Sequence, residues 1–487
     1  MALPTLDVGP RLASVPPVVG GCLKAALGHL AAGRAEKAVE AIAAAAIADI
    51  QQHQQTFLAG APEAAFLGDL YQEAFKLAGV RGTRPRTRPA APLSPRRVVY
   101  VLSSVVEGQA ASANVLRFLT LHNRAEFDPV IVVVEENTRR EPPLTFLAQP
   151  QAPSERIGAV TIARMRAAAP VHVVPPLGTF VDGVELAAEL VRSLAPDLAV
   201  FVASPACPIQ AGMAFARVAP SQAVMNIGVP LVLRGVDAVI FNNPARERDD
   251  AGFLATRGVA VHGVETSGGD ARSGVFSIPR SRESLGLPGQ ARVLASISNA
   301  IARRMLAGTF ARDLAAFLAS RPDIWWMGVG AISKEDISRV RAEFERAGGG
   351  VTERCVFSGP AEDPREHIKC ADVFLNEYPE GGGNSVIEAM GCGVPVVAMR
   401  AGDRHAESIG ATLVGLDAIP APDAARYWAL VDHWLADESA RGAAAARQQE
   451  RALARFDYPV VCRQYELAYR ALMRSGAANA VSAPVPS

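Results

Sequence analysis

The segment from Glu377 to Val397 gathers residue types that can hold an anion and a sugar. It reads Glu-Tyr-Pro-Glu-Gly-Gly-Gly-Asn-Ser-Val-Ile-Glu-Ala-Met-Gly-Cys-Gly-Val-Pro-Val-Val. That is the pattern of a strand end, a glycine loop, a short helix, a tight turn and the next strand. Gly381, Gly382 and Gly383 carry no Cβ, so their backbone N–H groups can approach an anion closely. Asn384 and Ser385 then open a helix whose first amides and dipole favour phosphate. Glu388 follows Glu380 by eight residues and is placed to take a ribose or sugar hydroxyl. Such a device suits a nucleoside diphosphate joined to a further group. The plain alternative is a strand–turn–helix connection with Glu380 and Glu388 solvated. The combined Glu-x7-Glu spacing, the intervening glycines and the later Gly-x-Pro-Val-Val count against it.

Two series of elements position this segment. Strands are predicted at 97–103, 129–134, 171–174, 198–202, 222–228 and 238–241, with helical stretches between them. A second series has strands at 292–298, 324–328, 356–358, 372–375 and 394–398, with helices near 305–319, 334–347 and 364–370. Alternation of this kind predicts parallel sheets built from βαβ units. The expected fold is α/β, two Rossmann-like doubly wound domains facing a cleft, with ligands at the C-terminal ends of the strands. The first domain is expected over 96–280 and the second over 281–455, followed by a closing helix at 456–475 and a disordered tail at 476–487. Residues 1–95 read as a helical region, with Gly33 turning between two alanine-rich helices, ending in a Pro/Arg-rich linker.

Composition narrows the function. The 487 residues suffice for two or three cores. Lys and Arg number 49 and Asp and Glu also 49, so the chain lacks the basic footprint of a nucleic-acid or anionic-membrane partner. The six cysteines contain no Cys-x-x-Cys pair, which fits a reduced compartment. No run approaches the ~20 apolar residues that span a bilayer. The expectation is a cytoplasmic protein without a membrane span.

The order of several further segments resembles the GT-B class of nucleotide-sugar glycosyltransferases, and within it the O-GlcNAc-transferase-like enzymes, which often carry tetratricopeptide repeats. In the first domain these are Ala219-Pro-Ser-Gln-Ala-Val-Met-Asn-Ile-Gly-Val-Pro230 and Val236-Asp-Ala-Val-Ile240. In the second they are Ala371-Asp-Val-Phe-Leu-Asn376 and Gly382-Gly-Asn-Ser385, where Gly-Gly-Thr-Thr is usual in that group. Pro395-Val-Val397, Gly410-Ala-Thr-Leu413, Gly415-Leu416, Phe456-Asp457, Tyr465 and Tyr469 follow in order. The likeness spans roughly 96–474. The 22–50 helices faintly resemble one tetratricopeptide pair, with Gly33, Ala38, Ala41 and Ala45 suitably placed; an alanine-rich hairpin is the alternative.

The resemblance implies a basic residue after the first strand of the second domain that holds the diphosphate. In Ser298-Asn-Ala-Ile-Ala-Arg-Arg304 the choice is Arg303, with Arg304 as its neighbour. A guanidinium suits the task because its planar fork grips two phosphate oxygens and stays charged. The alternative is a solvated pair, although a cation at a helix start is unfavourable without an anion. The donor-binding set is then Arg303, Arg304, Glu380, Gly382, Gly383, Asn384, Ser385 and Glu388, with Glu388 on the ribose.

The first domain departs from the family pattern. Relatives present histidines after the first strand, whereas this chain has Glu107-Gly-Gln109 and Ala113. His122 lies further along and reads as a surface or core residue. Glu107 is the nearest candidate base for an acceptor hydroxyl; a simple polar loop is the alternative. O-GlcNAc-transferase-like enzymes invert, while the Glu-x7-Glu spacing also occurs in retaining GT-B enzymes; the motif order favours inversion. The resemblance implies metal-independent transfer with no cofactor beyond the nucleotide-sugar co-substrate. The donor that the resemblance implies is a UDP-sugar such as UDP-GlcNAc, and the implied acceptor is a protein or glycan. Asp249-Asp250 reads as a solvated linker pair. A sugar-nucleotide epimerase of the same architecture, or a scaffold that binds without catalysis, would share these features.

Overall fold

The computed structural model describes residues 15–482 apart from 53–56, 59, 83–93, 108, 137–151, 227, 243, 266–269, 299–300, 331, 380, 401–408, 416–417 and 420–422. The chain forms two compact units, Met1–Val264 with Cys462–Ser487 and Glu265–Val461. Among the described residues no helix is long and apolar enough to cross a membrane.

The first unit is built on seven parallel strands: β1 (Arg96–Leu102), β2 (Phe127–Val133), β3 (Val171–Val173), β4 (Leu198–Val202), β5 (Ser221–Met225), β6 (Ala238–Phe241) and β7 (Ala260–Gly263). Their order is β3-β2-β1-β4-β5-β6-β7. Val98-Val-Tyr-Val-Leu102 is apolar at every position because both faces of the sheet are covered. Val99 and Val101 share a core with the N-terminal helices. Tyr100, on the other face, lies against Tyr469 of the last helix. The edge strand β7 is mostly exposed or half-buried and lacks the apolar run that marks the others.

The region expected as a separate leading segment is one wall of this core. Helices Pro17–Ala31 and Ala35–Gln52 form a hairpin turned at Gly33, whose φ of +73° suits glycine. Helix Ala61–Leu77 follows. Glu36 accepts from the backbone N–H groups of Phe180 and Val181 (2.6 and 3.1 Å) and so caps helix Phe180–Ser193. Tyr71 donates to the Pro205 carbonyl at 2.9 Å. Asp250, expected to be solvated, is 4% exposed and accepts from the Ala61 N–H at 2.9 Å. It caps a helix rather than sitting in a linker.

The last helix, Tyr458–Ser482, runs beyond the expected limit of 475. The unit boundary gives most of it to the first unit. Tyr469 and Tyr100 hydroxyls meet at 2.9 Å, Tyr100 Oη meets His122 Nε2 at 2.7 Å, and His122 Nδ1 meets Glu466 Oε1 at 3.0 Å. His122 is thus the core residue the sequence allowed. The Phe118 and Tyr465 rings pack at 4.8 Å.

The second unit has five parallel strands: β8 (Arg292–Ile297), β9 (Ile324–Val329), β10 (Cys355–Gly359), β11 (Val373–Leu375) and β12 (Val396–Val397), in the order β10-β9-β8-β11-β12. Leu294, Trp326 and Leu375 pack one face beneath helices Phe310–Ala319 and Ala424–Ala436. Ala295, Met327 and Phe374 pack the other with helix Asn384–Gly391. The helix expected at 305–319 is two, Ile301–Leu306 and Phe310–Ala319. Between them Gly308 lies so near Pro379 that a Cβ would stand 2.6 Å from its Cδ. Helix Ala424–Ala436 ends at Asp437, which accepts from the Ala440 N–H at 2.9 Å and caps helix Glu438–Arg455.

Candidate functional site

In each sheet the strand order reverses beside the first strand, between β1 and β4 and between β8 and β11. Loops leaving two such strands turn to opposite faces and leave room for a ligand at the C-terminal strand ends. In the second unit these are the segment after Ile297 and the run from Asn376 to Gly383. Arg304 Nη1 donates to Ser298 Oγ at 2.9 Å. The same nitrogen lies against the glycine loop. A Cβ on Gly382 would stand 2.7 Å from it and 2.8 Å from Ser385 Oγ. Arg304, Ser298, Gly382 and Ser385 therefore form one cluster. Arg303 is exposed, turned about 100° away by one helical step. The geometry reverses the sequence preference: Arg304 meets the loop, and Arg303 is its neighbour.

Asn376 shapes the loop from below. It is 3% exposed, and its Nδ2 donates to the Gly382 carbonyl at 3.0 Å. Its Oδ1 faces Gly381 and Gly410, where a Cβ would come within 2.1 and 2.0 Å. Neither position has room for a side chain. Tyr427 donates to the Asn376 carbonyl at 3.1 Å, and Trp428 Nε1 donates to Tyr378 Oη at 2.9 Å. Gly410→Ala is expected to cost about 1–3 kcal/mol through overpacking. In Gly442→Ala the new Cβ meets nothing within 4 Å, and a gain of about 0.5–1 kcal/mol is expected within its helix. Denaturant titration of both variants checks this; equal stability would mean Asn376 yields freely.

Gly383 is the N-cap of helix Asn384–Gly391 and brings no side chain of its own to cap that terminus. Asn384 and Ser385 occupy the first turn, as the sequence indicated. Glu388 is one turn further on and partly buried. Burial raises its carboxyl to about 7, against the pull of Arg365 and with the push of Asp363 and Asp270. Arg365 itself bonds Asp363 through Nε (2.7 Å) and pairs with Asp270 (3.3 Å). Glu377, at the start of the motif but given no role by sequence reasoning, is 3% exposed. Burial raises it also to about 7, with Arg304 opposing. Glu380 lies outside the described residues.

In the first unit Glu107 does not have the environment of a base. Its carboxylate accepts from the N–H groups of Val160 (2.8 Å) and Thr161 (3.0 Å) and from Thr161 Oγ1 (2.6 Å). It caps helix Ala159–Ala168, and the Thr161 hydroxyl above all holds its pKa below the ordinary value. A general base needs a free lone pair and a pKa near the working pH. Glu107→Ala is expected to cost about 1 kcal/mol as a lost cap. It is expected to leave nucleotide-sugar binding unchanged. Chemical denaturation and calorimetry check the two halves.

Sequence reasoning missed a polar cluster at the β1/β4 reversal. Glu136 Oε1 accepts from Ser103 Oγ (2.7 Å) and Gln210 Nε2 (3.0 Å), and Oε2 from the Ile209 N–H (2.8 Å). Ser103 Oγ meets Cys207 Sγ at 3.2 Å. Burial pushes the Cys207 thiol up to about 12, so it is no nucleophile near neutral pH. The available signal was the acid pair Glu135-Glu136 directly after the apolar run Val130–Val134.

Residues 300–437 match the family model described as Glycosyl transferases group 1. No curated protein matches the chain. Among solved structures, a mutant of the O-GlcNAc transferase from Thermobaculum terrenum superposes with a TM-score of 0.56 at 17% identity, covering 98% of this chain and 86% of that one. A glycosyltransferase from Rickettsia africae reaches 0.59 at 12% identity, covering 78% of this chain and 99% of that one. Anabaena HepE in complex with UDP and glucose reaches 0.56 at 17% identity, covering 77% of this chain and 99% of that one.

The fold is GT-B.

Within this GT-B chain the matched region, 300–437, contains Arg304, the glycine loop and Glu388. Ser298 lies just before it. The three superpositions differ most in reach. Coverage of 98% necessarily takes in the N-terminal helices, whereas 78% and 77% leave more than a fifth of the GT-B chain outside.

Proposed function

We propose that the chain transfers a sugar from a nucleoside-diphosphate sugar to an acceptor hydroxyl, with the donor held by the second unit. The observation that carries this reading is the cluster of Arg304, Ser298, Gly382 and Ser385 at the β8/β11 reversal. The family match over 300–437 supports it. In this reading the diphosphate lies on the glycine loop and the first turn of Asn384–Gly391, with Arg304 over its oxygens. As the glycosidic bond breaks, negative charge grows on the leaving diphosphate. A preplaced guanidinium and helix N-terminus stabilise that charge more than they stabilise the bound donor. No metal is needed for this step. Ionised Glu388 accepts from the ribose hydroxyls. The HepE complex with UDP and glucose makes uridine the first donor base to test, and UDP-GlcNAc the first sugar given the likeness to an O-GlcNAc transferase. A protein serine or threonine, or a glycan, is the acceptor class.

The test is incubation of the full chain with UDP-, GDP- and ADP-sugars, with and without hydroxyl-bearing peptides and glycans, followed by mass spectrometry. Nucleoside diphosphate released only with acceptor, and an acceptor heavier by one sugar, is the expected result. An isomerised donor formed without acceptor would make the chain an epimerase. Donor binding with no turnover would make it a scaffold.

A further inference from the structure

Glu377 is a carboxyl buried directly beside an anion site, which is an unfavourable place for a negative charge. It is 3% exposed, its Oε1 has no hydrogen-bond partner among the described residues, and it lies two residues from the end of β11, in the loop that leads to Gly382. The groups that act on it come from two helices. From Ile301–Leu306, Arg304 draws it toward ionisation. From Ala424–Ala436, the Tyr427 hydroxyl, which donates to the Asn376 and Val397 carbonyls, interacts with it electrostatically, and burial holds that phenol protonated far above neutral pH. The neighbouring Asp313 is turned to Tyr378, which donates to it at 3.0 Å. Arg304 thus has two anions to serve. One is the Glu377 carboxylate behind the loop. The other, on the reading proposed above, is the donor diphosphate in front of it.

We propose that Glu377 is a positioning residue of the donor site, sharing Arg304 with the diphosphate and taking up a proton when a sugar nucleotide binds. The inference rests on the donor reading. In the free protein the ionised carboxylate and Arg304 attract each other through the protein. A bound diphosphate claims the guanidinium and sets two further negative charges near a carboxyl on which, among the described residues, Arg304 is the cation that acts. The carboxylate then accepts a proton from solvent, and the neutral acid remains. The balance is one proton gained per donor bound, with no bond made or broken in the sugar. Burial, opposed by Arg304, raises this carboxyl to about 7, so at pH 7.5 most molecules hold the ionised form that must be discharged. Glu388 works with the opposite sign. It is also raised to about 7, and ribose hydroxyls donating to it favour the ionised form and release a proton. The two carboxyls are therefore separable.

The experiment is isothermal calorimetry of the full chain with UDP-glucose, GDP-mannose and ADP-glucose at pH 7.5, in two buffers of different ionisation heat, on wild type, Glu377→Gln and Arg304→Ala. These diphosphate diesters do not titrate near neutral pH, so they contribute no protons. The wild type is expected to take up more protons than Glu377→Gln. Its Kd is expected to rise about tenfold between pH 6.5 and 8.5, as linkage to one carboxyl requires. Glu377→Gln is expected to lose that rise and to show only the opposite, smaller pH dependence that Glu388 contributes. Equal proton counts in the two proteins would overturn the proposal and leave the donor site standing, provided Arg304→Ala loses binding. If Glu377→Gln does not fold, proton uptake by the wild type at pH 7.5 supports the proposal, and zero uptake or proton release overturns it. No binding of any sugar nucleotide by the wild type would remove the donor reading and this proposal together.

Discussion

Arg304→Ala is expected to lower the rate of transfer by roughly 10²–10³, the loss seen when one preorganised group aimed at developing negative charge is removed. Arg303→Ala, one residue away, is expected to stay within about twofold of the wild type, because that side chain is exposed and the 301–306 helix turns it off the loop. The contrast is the informative part. Both residues are arginines, both lie in the same short helix, and both contribute equally to net charge. Arg304 lies beside Gly382, Ser385 and Ser298, whereas Arg303 is exposed. Arg304→Lys is expected to recover part of the loss, since an ammonium supplies charge without the two-pronged fork. Steady-state kinetics with the accepted donor measure all three. Equal losses in Arg303→Ala and Arg304→Ala would mean that the arginines act as general charge, not through the loop.

The second large effect is on stability. Glu377 and Glu388 have an ordinary carboxyl value of 4.5 and are each raised to about 7 in the folded chain, in both cases first by burial. Between those values the folded state holds more protons than the unfolded state, so stability is full below about 4.5 and falls as pH rises through about 7. For Glu377 the change amounts to roughly 3 kcal/mol once it is fully ionised. Groups with lowered values act oppositely. Glu466 is held down, despite burial, by hydrogen bonds from His122 and the Asn123 N–H, and its contribution is lost as pH falls through its folded value. The expected optimum for the ligand-free chain is therefore mildly acidic. Denaturant midpoints between pH 5 and 8.5 for wild type, Glu377→Gln and Glu388→Gln measure it. Glu377→Gln is expected to match the wild type near pH 5 and to exceed it near pH 8. Parallel curves for the two proteins would place the Glu377 carboxyl in contact with water.

The strands were legible where the chain itself carried the information. Arg97–Leu102, Leu198–Val202 and Arg292–Ile297 are apolar runs because parallel strands bury both faces, and a run of that kind needs no partner to be seen. Edge strand β7 buries too little to leave such a run. Helix breaks at Gly308 and Asp437 were hidden inside apolar or alanine-rich stretches, although Asp437-Glu-Ser is a local capping signal that more weight on caps would have used. The glycine loop was visible because its glycines and helix start are contiguous. What lies across it was not. The choice between Arg303 and Arg304 depends on the phase of a helix whose first residue the sequence does not mark. Glu107 meets its partners Val160 and Thr161 more than fifty positions later in the chain, so a cap looked like a base. Glu377 stood inside the motif that opened the reading. Its significance comes from burial, which is a property of the packed unit.

The second unit, Glu265–Val461, is one uninterrupted stretch set between the two parts of the first. A ribosome therefore delivers the second unit whole before it has made Tyr465, Glu466 and Tyr469. Those residues cover Tyr100, Phe118, His122 and Phe127. Throughout that interval the older half of the chain keeps aromatic surface open to water while the younger half can already fold. Nascent chains stalled after residue 461 should then recruit chaperones through the first unit and resist protease in the second. The order of synthesis is the reverse of the order in which the two units can be completed.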